Sequence, residues 1–279
     1  MNIFDTLHYE ADKREKNAFY AGDTHKPLLD LYFGFRGVEP TNPPKWYDTL
    51  KWGAGLGVED SLLKLLKSNG IVAEDYDQHE HGRIEIERLG VPIHGYMDAV
   101  NKKTGTPIEI KSINNANRFD VKRYEDGHPR ENYVGQLAVY IDALNQTTGN
   151  LLVSSIDGLH RFDFEAHSSM DVVSCGKTEV ELGVIYKRWA DLYHNHILKQ
   201  IPPDIWEYRY KVPVEDVDWD YQAKSTISKA RNNKAVVGDW QIQYSPWKDL
   251  IIKLQGETLG YTQKELEYIK NATKGFSTR

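Results

Sequence analysis

Cysteine occurs once in this chain of 279 residues, at Cys175. A single thiol excludes an internal disulfide and any zinc or iron–sulfur site built only from cysteines, because those need several thiolates converging on one point. Long apolar runs are missing too, and none approaches the roughly 18 residues that read as a membrane-spanning helix. Met1 to Tyr20 carries Asp5, Glu10, Asp12 and Lys13 where a secretory signal would need an unbroken apolar segment. These absences predict a cytoplasmic protein, in the host cytoplasm if the chain is viral, with no membrane partner. An excess of positive charge is also absent. The 35 Lys and Arg against 41 Asp and Glu leave a formal net charge of −6, which argues against a protein that coats nucleic acid and leaves room for a local basic groove.

No internal repeat or low-complexity linker divides the chain, and its hydrophobic share of 40% is enough to bury one sizeable core. After a Pro/Asn break at Val38 to Trp46, helical spacing runs from about Leu50 to Ser68 and closes at Gly70. Two alternating segments follow, Arg83 to Leu89 and Val91 to Val100, joined at Gly90. With "PIEIKSI" (Pro107 to Ile113) they predict a three-stranded meander, in which Ile108 and Ile110 face one side and Glu109 and Lys111 the other. The segment Asn114 to Asn132 lacks periodicity and reads as a loop. Tyr133 to Leu144 reads as a helix with Gln136 and Tyr140 on one face. Asn150 to Phe164 looks like two strands around an Asp-Gly turn, and Lys177 to Gln200 like a long amphipathic helix ending before Pro202 and Pro203. This order predicts an α/β fold: a mixed β-sheet flanked by helices, in one domain spanning 1–279.

Chemistry concentrates in "HGYMDAVNKKTGTPIEIKSI" (His94 to Ile113). Asp98 ends one apolar run, and Glu109 and Lys111 share a face of the next, so all three can meet at one end of the sheet. Two carboxylates in reach of each other repel, and a divalent cation relieves that repulsion. Magnesium, a hard ion that takes one or two carboxylates with waters and phosphate oxygens, suits such a site better than zinc. Lys111 can then hold or deprotonate the attacking water. This is equipment for hydrolysing a phosphodiester.

Other polar clusters read more plainly. His79 and His81, and His194 and His196, stand two residues apart, a spacing that on a helix points side chains in different directions, and they read as surface or loop histidines. Cys175 lacks an activating neighbour in sequence. Two basic stretches could touch DNA backbone: Arg118, Lys122, Arg123 and Arg130, and the acid-free run with Lys224, Lys229, Arg231 and Lys234.

"GYMD" followed ten residues on by "EIK" resembles the PD-(D/E)xK nuclease superfamily, with Met97 where the motif has proline. "QLAVY" resembles the Gln-x-x-x-Tyr helix of its RecB-like branch, and "GLGVEDSLLKLL" places Glu59 where this branch often carries a further metal ligand. The resemblance implies a restriction-endonuclease-like core over about 50–165, with the N-terminal segment and 170–279 packed around it. It also implies Mg2+ or Mn2+ as cofactor. Asp98, Glu109 and the Ile110 carbonyl would hold the principal ion, Glu59 and Asp98 a second, and Lys111 would handle the water. Gln136 and Tyr140 would orient DNA or the lysine.

The chain is similar to exonucleases of CRISPR adaptation and of phages, but departs from the iron–sulfur members of the branch. Ile242, Ser245 and Ile251 stand where three tail cysteines would be, and Pro27 near the place of the first, so no iron–sulfur cluster is expected. Apolar packing of Ile242, Trp247 and Ile251 would instead pin the tail to the N-terminal segment. The implied function is a DNA exonuclease in recombination, repair or phage DNA processing. DNA is the expected partner, with a homo-oligomer or a recombination protein as further possibilities. Two alternatives stay open: a structure-selective endonuclease acting on junctions or flaps, and a non-catalytic DNA-binding or assembly subunit.

Overall fold

The computed structural model describes residues 16–114, 118–204 and 245–259, with side chains as far as 254. In chain order the elements are β1 (Phe19–Tyr20), α1 (Leu28–Phe35), α2 (Trp46–Ser68), β2 (Arg83–Arg88), β3 (Val91–Tyr96), β4 (Ala99–Val100) and β5 (Pro107–Ile113). Then come α3 (Arg118–Glu125), α4 (Glu131–Ala143), β6 (Thr148–Ser155), β7 (Arg161–Ser169), β8 (Val172–Cys175), β9 (Thr178–Glu181), α5 (Leu182–Leu192) and α6 (Lys248–Leu259). They group into two compact units. One holds residues 16–26 and 45–199, the other 27–44, 200–204 and 245–259.

The first unit carries two sheets, one of three strands in the order β1-β3-β2 and one of six in the order β4-β5-β6-β7-β8-β9. β5 and β6 are parallel, joined through α3 and α4, and the other neighbours in the larger sheet are antiparallel. The fold is therefore α/β, with mixed sheets flanked by helices. Leu62, Leu63 and Leu66 of α2 pack on Ile108 and Ile110 of β5. α4 is buried along most of its circumference, through Val134, Leu137, Ala138, Val139, Tyr140 and Ile141, as expected of a crossover helix laid on a sheet.

Several elements differ from the sequence reading. The meander is split, because Val91 to Val100 leaves the small sheet after Tyr96 and enters the large one at Ala99. The turn between β2 and β3 takes two residues, Leu89 (φ 53°) and Gly90 (φ 73°), the pair of left-handed conformations that a tight hairpin requires. The expected loop contains α3, whose Val121 and Tyr124 turn inward, with Tyr124 stacked on Phe162 at 5.4 Å. Two acids, three bases and two aromatics in eight residues hide that helical face. The expected helix from Lys177 begins with strand β9 instead. Thr178 and Val180 are buried while Glu179 and Glu181 are exposed, a short alternation masked by the helix that follows. Among the described residues no helix is long and apolar enough to cross a membrane.

In the second unit the tail meets the segment after α1. The Trp247 indole N–H donates to the Val38 carbonyl (2.9 Å) and its ring lies 5.7 Å from that of Phe33. Ser245 Oγ donates to Asp30 (2.7 Å), and Ile251 and Ile252 are fully buried. The first turn of α6 is capped from far away in sequence: Asn42 Oδ1 accepts the Asp249 N–H (2.8 Å) and Thr41 Oγ1 the Leu250 N–H (3.3 Å). Ile242 lies outside the described residues.

Candidate active site

The site is built where the chain changes sheets. Met97 is fixed on both sides of its peptide unit: its N–H donates to the Gly82 carbonyl (2.8 Å), and its own carbonyl accepts the Tyr76 hydroxyl (2.9 Å). A Cβ at Gly82 would sit 2.5 Å from the Met97 oxygen and 2.6 Å from the Tyr76 hydroxyl, so only glycine fits beneath this corner. The corner presents Asp98, 5% exposed. Its Oδ2 accepts the Ile110 N–H (2.7 Å) and its Oδ1 the Gln78 side-chain amide (3.0 Å).

Glu109, one residue before Ile110, is fully buried. Its Oε1 forms an ion pair with Lys111 Nζ, and its Oε2 has no hydrogen-bond partner among the described residues. Burial first, then the negative charge of Asp98, pushes the Glu109 carboxyl up to about 8. α2 delivers Glu59 to the same place, where burial and then Asp98 push it up to about 7 and the two carboxyls share a hydrogen bond. Asp98 is raised as well, since burial outweighs Lys111, the Ile110 N–H and the bonds to Glu59 and Gln78. Burial alone would lower Lys111, but Glu109, Asp98 and Glu59 together hold it above the ordinary lysine value. Three acids thus face one ammonium, an imbalance that protons or a cation must make up.

Gln136 and Tyr140 serve this corner from α4. The Tyr140 hydroxyl donates to the Tyr96 carbonyl (2.9 Å) and accepts from the Gln136 amide (3.1 Å). Gly95 makes room, because a Cβ there would come within 2.7 Å of the Tyr140 ring. Tyr140 therefore buttresses the strand two residues ahead of Asp98. The Ile110 N–H is spent on Asp98.

The structure brings Glu59, Asp98, Glu109 and Lys111 together. Gly82, Gly95, Tyr76 and Gln78 went unread in the sequence, because a supporting glycine or amide outside any motif carries no signal of its own. Tyr133 was legible in principle, standing three residues before Gln136 on the same helix. Arg118, Lys122 and Arg123 lie on the exposed side of α3, and the Arg123 side chain donates to the His128 carbonyl (3.0 Å). Lys224, Lys229, Arg231 and Lys234 lie outside the described residues. In the histidine pairs, His81 accepts the Asp77 N–H (2.9 Å), and His194 bonds the Leu89 carbonyl across the fold (3.0 Å). Cys175 is buried in β8, and burial pushes its thiol up to about 12.

No protein-family model matches the chain, and no curated protein matches it in sequence. Solved structures do match its fold. The crystal structure of SSO0001 matches with a TM-score of 0.43 and 17% identity, over 71% of this chain and 84% of that one. LHK-Exo in complex with dAMP matches with a TM-score of 0.44 and 14% identity, over 66% of this chain and 89% of that one. An alkaline exonuclease (LHK-Exo) from Laribacter hongkongensis matches with a TM-score of 0.39 and 14% identity, over 67% of this chain and 93% of that one. At these identities the likeness is one of fold.

Proposed function

We propose that the chain is a magnesium- or manganese-dependent DNA nuclease of RecB-like type that degrades DNA from its ends. The observation that carries this reading is the meeting of Glu59, Asp98 and Glu109 with Lys111 at the corner between two sheets, around a buried Glu109 oxygen without a hydrogen-bond partner among the described residues. Desolvating a carboxylate costs several kcal/mol unless an opposite charge compensates, and one lysine is shared here among three acids. Among the described residues no group of three or more His, Cys, Asp or Glu is arranged to hold a metal ion by itself. The ion this reading calls for takes one or two carboxylates and completes its shell with water and substrate oxygens. Asp98, Glu109 and the Ile110 carbonyl would hold it, with Glu59 and Asp98 available to a second; when bound, it supplies charge to polarise the phosphate and acidify a water.

The chain's own groups do the positioning. Paired with Glu109 and surrounded by acids, Lys111 is an ammonium. It therefore holds the attacking water or the charge developing on the phosphate by donating hydrogen bonds, and does not take the water's proton in this state. Gln136 and Tyr140 keep the corner in place through Tyr96. Arg118, Lys122 and Arg123 on α3, with the basic run at 224–234, supply contacts to DNA backbone, which orient a strand without reading it.

The test incubates the protein with end-labelled linear and closed circular DNA in magnesium, manganese or chelator. Linear DNA should be degraded only with metal, and Asp98→Asn should abolish the reaction. Cutting of circles would turn the assignment to a structure-selective endonuclease. Binding of DNA without cleavage under every condition would leave a non-catalytic subunit.

A further inference from the structure

α4 carries one more residue into the site. The Tyr133 ring lies beside the catalytic lysine, its centroid 5.8 Å from Lys111 Nζ, and the Arg130 guanidinium stands 5.8 Å from the same centroid. The two cations are therefore separated by at most twice that distance, with one aromatic ring in common. An aromatic face attracts a cation through its quadrupole, by about 0.5–2 kcal/mol, so Tyr133 holds two charges that would otherwise drift apart. Arg130 Nη2 donates to Asp120 of α3 at 2.5 Å, and the arginine side chain is still 38% exposed. A guanidinium has five N–H donors in a planar fork, so one carboxylate does not saturate it. Tyr124 adds a buried hydroxyl without a hydrogen-bond partner among the described residues, close enough to Arg130 and Asp120 to feel their charges. Beyond it the exposed side of α3 continues with Arg118, Lys122 and Arg123.

We propose that Arg130 and Tyr133 form a phosphate-positioning element, in which the guanidinium binds a phosphodiester one to three nucleotides from the bond beside Lys111, at about 3.4 Å of axis per nucleotide. This deepens the nuclease reading and rests on it. The plainer role for Arg130 is a tether that holds α3 to α4 through Asp120. The two roles separate cleanly, because removing Asp120 breaks the tether but keeps the cation.

The experiment measures kcat, KM and the salt dependence of kcat/KM on linear DNA in magnesium for wild type, Arg130→Ala, Arg130→Lys, Asp120→Asn, Tyr133→Leu and Tyr133→Phe. Arg130→Ala should raise KM about tenfold, equivalent to about 1.4 kcal/mol, with kcat changed much less. It should also flatten the slope of log kcat/KM against log salt by about one, the effect of losing one phosphate contact. Arg130→Lys should recover part of both, and Asp120→Asn should have a KM no higher than wild type. Tyr133→Leu should raise KM, and Tyr133→Phe should recover most of that loss. An unchanged KM and slope in Arg130→Ala, or a KM in Asp120→Asn that rises as in Arg130→Ala, overturns the proposal. Should Arg130→Ala fail to fold, the slope of Arg130→Lys and the KM of Asp120→Asn decide. Wild type that cleaves beside an unaffected Arg130→Ala refutes only this element; wild type that never cleaves refutes the nuclease reading as well.

Discussion

The carboxylate of Asp98 accepts the backbone N–H of Ile110 at 2.7 Å. The acid at the exit of one sheet is thereby bonded to the peptide that follows Glu109 in the next. This bond fixes the distance between two acids that come from different strands, and it makes the geometry of the site a property of the backbone.

Asp98→Asn and Glu109→Gln should each lose divalent-cation affinity and cleavage together, by about 100-fold or more. Each change removes a charged oxygen donor from the same ion while keeping the side chain's shape. Calorimetric titration with magnesium, run beside the cleavage assay, checks both at once. Unchanged affinity in either variant would move the metal site elsewhere.

Lys111→Ala should lower the cleavage rate by about 10²–10⁴-fold, the range for a residue that assists proton transfer or holds the nucleophile. Affinity for DNA measured in chelator should stay within a few-fold of wild type, since the lysine acts at one bond. The same substitution strips Glu109 of its ion-pair partner, so the variant should melt lower in chelator and recover with magnesium. Near-normal turnover would remove Lys111 from the mechanism.

The carboxylates and the lysine stood out by type and spacing at Asp98, Glu109 and Lys111, the resemblance added Glu59, Gln136 and Tyr140, and the structure brings Glu59, Asp98, Glu109 and Lys111 to one corner. Hydrophobic alternation also located β2, β3, β5, β6 and β7. What escaped was held by tertiary contact. The strand break at Met97 leaves no mark in "VPIHGYMDAV", which alternates as one strand would. β8 and β9 are four residues each, too short for a period to declare itself. α3 buries only Val121 and Tyr124, two positions in a segment rich in charge. Gly82 resembles any loop glycine until the atoms around it are known.

Gly82→Ala follows from those atoms. The new methyl group would lie 2.5 Å from the Met97 carbonyl oxygen and 2.7 Å from the Gln78 carbonyl oxygen, both of them backbone, so the corner itself must move. The expected cost is about 1–3 kcal/mol, read as a fall in thermal midpoint. Because Asp98 is the next residue after Met97, cleavage should fall by more than the loss of folded protein explains. Wild-type specific activity per folded molecule would show that the corner tolerates the shift.

Asp23 gives a prediction in pH. It is 1% exposed, accepts the Tyr20 N–H (2.8 Å) and pairs with Lys16 and with Lys26 (2.9 Å). Burial alone would raise its carboxyl, but Lys26, Lys16 and the Tyr20 N–H outweigh that and hold it below the ordinary value. Lys16 shifts the other way for its own stability, since burial lowers its ammonium more than Asp23 raises it, and the gain sits with the aspartate. A depressed carboxyl stabilises the fold above the ordinary aspartate range, and the contribution is lost as pH falls through the folded value. Asp23→Asn should cost about 3 kcal/mol near neutrality, where it leaves Lys16 buried without its counter-charge. The gap to wild type should narrow on acidification below about pH 4. Denaturant unfolding at several pH values checks this, and a gap that is constant from neutral to acid pH contradicts it.

The tail supplies a test that touches none of the proposed catalytic groups. α6 begins with N–H groups that its own turn cannot satisfy, and Asn42 and Thr41 satisfy two of them. Asn42→Ala should therefore cost about 1 kcal/mol, the usual value of a helix N-cap. Ile251→Asp should cost several times more, because it puts a charge where a fully buried side chain stood. Both variants should expose the chain near Trp247 to limited proteolysis, and a shift in tryptophan emission should accompany the loss of contact between the Trp247 ring and Phe33. The caps and the buried isoleucine belong to one unit, and Asp98 and Glu109 to the other. Both variants should therefore melt lower while cleavage per folded molecule stays near the wild-type value. An unchanged melting point in Ile251→Asp would show that the buried side chain does not fasten α6.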